Sequence, residues 1–248
     1  MIVIGKNPVL EMLETNPKEI NKVVLLKSLK PEPKLLKIKE LAEKNRINTL
    51  MLKGFEFEKF FDRKNKSEGI TQGVICFIKD FEYTSLSEIF ENTKKVQNPL
   101  LVLLDEITDP HNMGAVIRSA VCLGADGIVI PRHNSAEVNH TVIKTSSGAV
   151  NYLPIAKETN LVNSITYLKN NGFWIIGTDM QAKKFTYEMD FKRPIALVLG
   201  SEGKGIRKII KDNCDDFVRI PMTGKLDSLN VSVSAGVVMY EILRQKNV

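Results

Sequence analysis

Arg118 stands four residues after Gly114 in the run Asn112-Met113-Gly114-Ala115-Val116-Ile117-Arg118. On a helix this spacing puts both residues on one face, and helical side chains lean back toward the N-terminus. The spacing therefore predicts a guanidinium lying over the bare glycine and reaching the helix mouth, with Asn112 as the cap. A helix mouth presents N–H groups that favour anions, and an arginine there suits a phosphate or a developing oxyanion. Taken alone, the pattern fits a surface arginine beside a tightly packed glycine better.

A second segment, Leu199-Gly200-Ser201-Glu202-Gly203-Lys204-Gly205, follows an apolar run. Its spacing is neither that of a nucleotide P-loop nor that of a dinucleotide fingerprint, and no G-x-S-x-G elbow is present. Gly200 and Gly203 still let a ligand approach the backbone closely, and Glu202 adds an acceptor. An ordinary strand-to-helix turn accounts for the same residues. The third segment is Ile220-Pro221-Met222 followed by Ser228-Leu229-Asn230. Ser228 and Asn230 are good helix-capping types. Their hydroxyl and amide groups would equally hold a ribose or an adenosine-containing ligand.

Other chemistries find less support. His111, His133 and His140 lack a metal-ligand pattern, and Cys76, Cys122 and Cys214 form no C-x-x-C pair. Neither a metal site nor a disulfide framework is expected, and a reducing cytoplasm fits best. No apolar run approaches the roughly 20 residues that span a bilayer, and the start lacks a signal-peptide pattern. A cytoplasmic protein without membrane association is expected.

The three segments need elements to position them. Apolar runs at residues 100–104, 127–130, 173–177, 195–199 and 217–220 read as strands, alternating with helices at 112–123, 161–170 and 231–245. That alternation predicts an α/β domain with a parallel sheet covered on both faces, where loops at the strand ends bind ligands. Upstream, strands at 21–26 and 73–78 flank a helix at 33–45, a smaller α/β unit. Residues 80–98 are polar and acidic and end in Asn98-Pro99, which reads as a linker with a short helix near 86–91. The expected division is therefore 1–79, linker 80–98, and 99–248.

The net charge of +6 is unevenly spread: residues 1–79 carry 16 Lys/Arg against 10 Asp/Glu, and residues 99–248 carry 17 against 15. A basic module on a near-neutral one suits a polyanion, nucleic acid above all. A solubilising lysine-rich face explains the charge equally well.

Together, and in this order, the three segments resemble the motifs of the SpoU/TrmH family of RNA ribose 2′-O-methyltransferases: Asn-x-Gly-x-x-x-Arg, Leu-x-Leu-Gly-x-Glu-Gly, and Ile-Pro-Met with Ser-Leu-Asn-Val-Ser. The resemblance covers residues 99–248 and extends upstream. Gly5-Lys6-Asn7-Pro8-Val9-Leu10-Glu11 and Thr71-Gln72-Gly73-Val74 look like the ends of the small substrate-binding domain of RlmB-type members. That domain is similar in fold to small RNA-binding ribosomal proteins. The resemblance implies a SPOUT domain with a deep trefoil knot, an exception to the rule against threaded chains. It also implies a homodimer, S-adenosylmethionine as methyl donor, and RNA as substrate, with a guanosine of 23S ribosomal RNA foremost. By motif, cofactor contacts would come from Gly177, Thr178, Gly200, Glu202, Gly203, Ile220, Met222, Ser228, Leu229 and Asn230. Arg118 would be the catalytic group, supported by Asn112, Glu202, Ser228 and Asn230.

The family proposal makes the arginine a base. A guanidinium stays protonated at neutral pH, so a clamp on the 3′ phosphate that stabilises the emerging alkoxide is the better role for Arg118. The proton would leave through Asn112, Glu202 or a water. Three rivals share the scaffold: a transfer-RNA methyltransferase, a non-catalytic RNA-binding assembly protein, and a phosphate-using enzyme built on residues 200–205.

Overall fold

A computed structural model describes residues 1–59, 71–224 and 228–246. The chain forms two compact units, Met1–Phe81 and Glu82–Val248. The first contains β1 (Ile2–Ile4), α1 (Lys6–Thr15), β2 (Ile20–Leu26), α2 (Pro33–Lys44), β3 (Asn48–Leu52), α3 (Gly54–Lys59) and β4 (Val74–Ile78). Its sheet runs β1-β4-β2-β3, with β4 antiparallel to both neighbours and β2 parallel to β3.

Strand periodicity decides which face each side chain takes. Val23, Leu25, Val74, Cys76 and Ile78 join the core under α1 and α2, where Val9, Leu13, Leu35 and Ile38 meet them. Val24 and Ile75, one residue out of step, turn to the other face and pack with Phe57 of α3. The two upstream motifs converge at one end of this sheet. Gly5 N–H donates to the Val74 carbonyl at 3.0 Å, and Lys6 N–H donates to Gln72 Oε1 at 3.1 Å. Gly5 has φ of 90°, which explains a glycine there.

The second unit begins earlier than expected. Residues 82–98, assigned by composition to a linker, are part of it. Ser85 caps α4 (Leu86–Thr93) by accepting from Glu88 N–H. Leu86 and Ile89 then bury in the same core as Leu101, Val129 and Ile165. The remaining elements are β5 (Leu100–Asp105), α5 (Pro110–Cys122), β6 (Gly127–Pro131), α6 (His140–Thr145), β7 (Ile155–Glu158), α7 (Leu161–Asn170), β8 (Trp174–Thr178), β9 (Lys184–Phe185), β10 (Ile195–Gly200), α8 (Lys208–Lys211), β11 (Asp216–Arg219) and α9 (Val231–Lys246). All pairings in the sheet β7-β6-β5-β10-β8-β11-β9 are parallel. β5 is buried throughout and β10 through Leu199, as strands covered on both faces must be.

The chain builds outward from β5 to β7, then crosses to fill the other half. The order therefore switches between β5 and β10, where a crevice opens beyond the strand ends. Asp105 and Gly200 are register partners there. Of the segment leading into α9, residues 225–227 lie outside the described residues.

Among the described residues, no helix is long and apolar enough to cross a membrane. Cys76, Cys122 and Cys214 are all free thiols. Burial pushes Cys76 and Cys214 up to about 12, so neither supplies thiolate near neutrality, whereas Cys122 is exposed. An alkylating reagent is expected to label Cys122 alone in the native protein and all three thiols after denaturation. Early labelling of Cys214, read by mass spectrometry, would contradict this packing.

Candidate active site

The site grows from the loop after β10. A Cβ on Gly200 would stand 2.1 Å from the Gly205 carbonyl carbon and 2.2 Å from Ile206 N, so the chain folds back directly onto Gly200. Ser201 N–H donates to the Gly205 carbonyl at 3.1 Å, and Gly205 N–H returns a bond to the Ser201 carbonyl at 2.9 Å. These two bonds close a small ring with Glu202 at its tip.

The ring is anchored below by Asp105, which is fully buried. Its carboxylate accepts from Arg207 N–H at 2.8 Å and Arg207 Nε at 2.8 Å, and Arg207 Nη2 lies 2.7 Å away. Those bonds hold the Arg207 guanidinium above its ordinary value. A buried carboxylate needs such pairing. Neither residue stood out in the sequence, although a charge closing the run Leu100-Leu101-Val102-Leu103-Leu104 is itself a sign of a required partner.

Three residues from distant segments meet at the tip. Asn112 Nδ2 donates to Glu202 Oε2 at 3.1 Å. Asn230 Nδ2 donates to Asn112 Oδ1 at 2.9 Å and to Glu202 Oε2 at 3.5 Å. Asn230 also caps α9, its Oδ1 accepting from Ser232 N–H at 2.9 Å. Asn112 does not cap α5. Asp109 does so, accepting from His111 N–H at 3.0 Å, because Pro110 takes the first helical position. Freed from capping, the Asn112 amide turns to the cluster.

The expected path of Arg118 is also corrected. Gly114 does not clear room for it. The bare face of Gly114 is filled by α6, where an added Cβ would lie 2.7 Å from Thr145 Cβ and 3.0 Å from the Val142 carbonyl oxygen. Arg118 is exposed and reaches Ser147, with Nη1 donating to Oγ at 3.0 Å, rather than the helix mouth near Asn112.

Beside the cluster lies a cavity of about 350 Å³, within the roughly 300–1,000 Å³ of small-ligand sites. It is lined by Thr178, Gly200, Glu202, Gly203, Ile220, Met222, Ser228 and Leu229, all expected from sequence. Gly177, Asn112, Arg118 and Asn230 are outside its lining. Gly177 serves packing, since an added Cβ would lie 2.5 Å from the Phe217 ring. The wall also includes Asp179, Lys211 and Arg219, none of which belongs to the three sequence segments. Lys211 pairs with Asp179. Burial pushes the Asp179 carboxyl up, but bonds from Lys211 and Gln181 N–H outweigh this and hold it below the ordinary value.

Apolar walls from Leu199, Val218, Val231 and Val238, interrupted by Ser and Thr hydroxyls, are those of a small-molecule site with a few polar groups to orient its ligand. The described residues hold no group of three or more His, Cys, Asp or Glu placed for a metal ion.

Comparison with known proteins agrees with this anatomy. Residues 99–240 match the SpoU rRNA methylase family, and residues 2–84 match the substrate-binding family of RNA 2′-O ribose methyltransferases. The chain is 37% identical over 249 residues to YacO of Bacillus subtilis, named as a TrmH-family tRNA/rRNA methyltransferase, covering 99% of this chain and 96% of that one. It is 36% identical over 247 residues to the 23S rRNA (guanosine-2′-O-)-methyltransferase RlmB of Pseudomonas aeruginosa, covering 98% and 96%. Among solved structures it resembles the SpoU methyltransferase AviRb of Streptomyces viridochromogenes in complex with AdoMet, with TM-score 0.66, 23% identity and coverage of 100% and 90%. The TrmH/SpoU tRNA-modifying enzyme of A. aeolicus gives TM-score 0.56 at 30% identity, covering 65% and 82%. The chain belongs to the SpoU/TrmH family of RNA ribose 2′-O-methyltransferases, whose methyl donor is S-adenosylmethionine.

Proposed function

We propose that this protein methylates the 2′-hydroxyl of a guanosine in 23S ribosomal RNA, in the cytoplasm and as a homodimer. The observation that carries the reaction is the Asn112–Glu202–Asn230 cluster, assembled from all three motifs at the edge of the cavity. Support for the ribosomal substrate comes from the 36% identical RlmB, a 23S rRNA guanosine methyltransferase, and from the substrate-binding match over residues 2–84. The name of YacO also covers transfer RNA, which keeps that substrate as the second reading. Mapping ribose methylation in ribosomal and transfer RNA from cells with and without the gene decides between them. Loss of one 23S site is expected, and loss confined to a transfer RNA would move the assignment.

When bound, the donor supplies a methyl group on a sulfonium, already electrophilic. The protein must align a weakly acidic hydroxyl with it, and positioning can contribute roughly 7–11 kcal/mol to such steps. In this reading the cavity side chains orient the donor, and Glu202 takes the hydroxyl proton. Two amides donate to its Oε2, which fixes the carboxylate. Asn112 and Asn230 orient it, since an amide oxygen is a poor base. Arg118 clamps the phosphate 3′ to the target. Its one hydroxyl partner, Ser147, leaves most of its five donors for that task.

The first unit, Met1–Phe81, acts as the substrate-binding domain and the second, Glu82–Val248, as the knotted methyltransferase domain. The packing of α9 against α5 and β10 is compatible with a threaded C-terminal segment. The dimer reading is supported by α9, whose Val233, Val237 and Tyr240 recur on one face at 49%, 39% and 59% exposure. RNA binding by the upstream unit is supported by its 16 Lys/Arg against 10 Asp/Glu. Residues 1–79 alone are expected to bind RNA weakly, with affinity falling steeply between about 50 and 200 mM salt. A protein lacking them that kept full RNA affinity would remove this role.

A further inference from the structure

Most charges around the cavity are matched among the described residues. Lys211 pairs with Asp179, Lys184 with Asp216, and Arg207 with Asp105 and Glu106. Glu202 is held by two amides, and Lys204 sits on the exposed loop. Arg219, in the cavity wall, has no carboxylate partner among the described residues. Its Nε is buried without a hydrogen-bond acceptor. Its one neighbour of note is Phe185, its register partner on β9, whose ring centroid lies 4.3 Å from the guanidinium carbon.

Stacking on an aromatic ring orients a guanidinium and offsets part of its charge. It supplies no in-plane acceptor. Nε is shut inside the wall, so the two Nη groups are the donors that a ligand oxygen would meet. Arg219 is therefore a preorganised guanidinium in a cavity wall whose two carboxylates, Asp179 and Glu202, already have other partners.

We infer that Arg219 binds the carboxylate of the methyl donor. This rests on the reading of the cavity as the donor site. S-adenosylmethionine carries an ammonium, a sulfonium and a single carboxylate, so the carboxylate is its one anionic group and the strongest partner for an arginine. An RNA phosphate is the other anion brought to this enzyme. The cavity that Arg219 lines, about 350 Å³, is of small-ligand size, which disfavours a polymer backbone. The arrangement also sets polarity: the amino-acid end is drawn to β11, and a donor stripped of its amino acid gains nothing from Arg219.

The test is calorimetric titration of unaltered protein, Arg219→Gln and Arg219→Lys with S-adenosylmethionine, S-adenosylhomocysteine and 5′-methylthioadenosine. The last lacks the amino-acid moiety. Arg219→Gln is expected to weaken the first two roughly ten- to hundredfold and to leave methylthioadenosine unchanged, which also reports an intact fold. Arg219→Lys should fall between. Equal weakening of all three ligands would make Arg219 structural. Unchanged homocysteine-ligand affinity with reduced RNA affinity would assign it to phosphate. Either result overturns the inference. Leu229→Trp, at the half-exposed cavity lining, should weaken all three ligands. If it weakens none, the cavity reading itself fails, independently of Arg219.

Discussion

Gly200→Ala is expected to abolish donor binding and methyl transfer together. The added methyl would lie 2.1 Å, 2.2 Å and 2.4 Å from the Gly205 carbonyl carbon, Ile206 N and the Gly205 carbonyl oxygen. All three are backbone atoms, so no side chain can swing aside. The neck of the ring must open, and the paired bonds between Ser201 and Gly205 break with it. Below the neck, Arg207 is tied to buried Asp105 and resists the displacement. The tip moves instead, taking Glu202 from Asn112 and Asn230. A displacement of about 1 Å at a site can cost roughly hundredfold in rate, so turnover should fall by at least that much, with donor affinity by calorimetry falling alongside it. Overpacking itself costs about 1–3 kcal/mol, so thermal unfolding should drop by several degrees without losing cooperativity. Gly203→Ala is the contrast. Nothing lies within 4 Å of its added carbon, but φ is +85°, so it meets only backbone strain of about 1–2 kcal/mol. Donor affinity retained in Gly200→Ala would mean that the ring does not shape the donor site.

These two glycines show what the sequence could and could not say. Their presence after an apolar run marked a loop built for close approach, and that was legible. That one glycine is needed for space and the other for its dihedral angle depends on how the ring closes. Elements with local punctuation were equally legible. α7 occupies its expected span because Asn160 caps it and Asn171-Gly172 ends it. Elements lacking such signals were missed. β7 offers Ile155 and Ala156 before two charges, and β9 has only two residues. α1 buries Val9, Met12 and Leu13, but Pro8 in its first turn disguises the start.

The same reasoning explains the errors at the site. The motif residues were identifiable by type, yet two of their geometries were not. α6 went unrecognised, so nothing warned that Thr145 fills the space above Gly114. Asn112 looked like a cap because the competing Asp109-Pro110 pair was not weighed. Its actual partner, Asn230, is 118 residues away, and no local spacing encodes such a meeting. Arg219 was hidden for a related reason. A single charge between Val218 and Ile220 looks like an edge-strand residue until β11 is seen to line a cavity.

Arg118→Ala is expected to stop turnover while donor affinity stays near that of the unaltered protein. The separation follows from placement. Arg118 lies outside the lining of the cavity and donates to Ser147, not to a residue of the cavity lining. Removing an exposed side chain of this kind changes stability by about 0.5 kcal/mol or less, so the fold and the donor cavity should persist. What is lost is a bidentate cation for the substrate. A phosphate clamp places the ribose, and a positive charge stabilises an alkoxide as it forms. Loss of one such preorganised donor typically costs roughly 10²–10³ in rate, and loss of substrate placement adds to it. The fall should therefore appear in kcat as well as in the KM for RNA. Arg118→Lys keeps the charge but not the planar fork, so it should recover only part of the rate. If the arginine served instead to shape the donor cavity, calorimetry would show donor affinity and turnover falling together, and the clamp assignment would have to be given up.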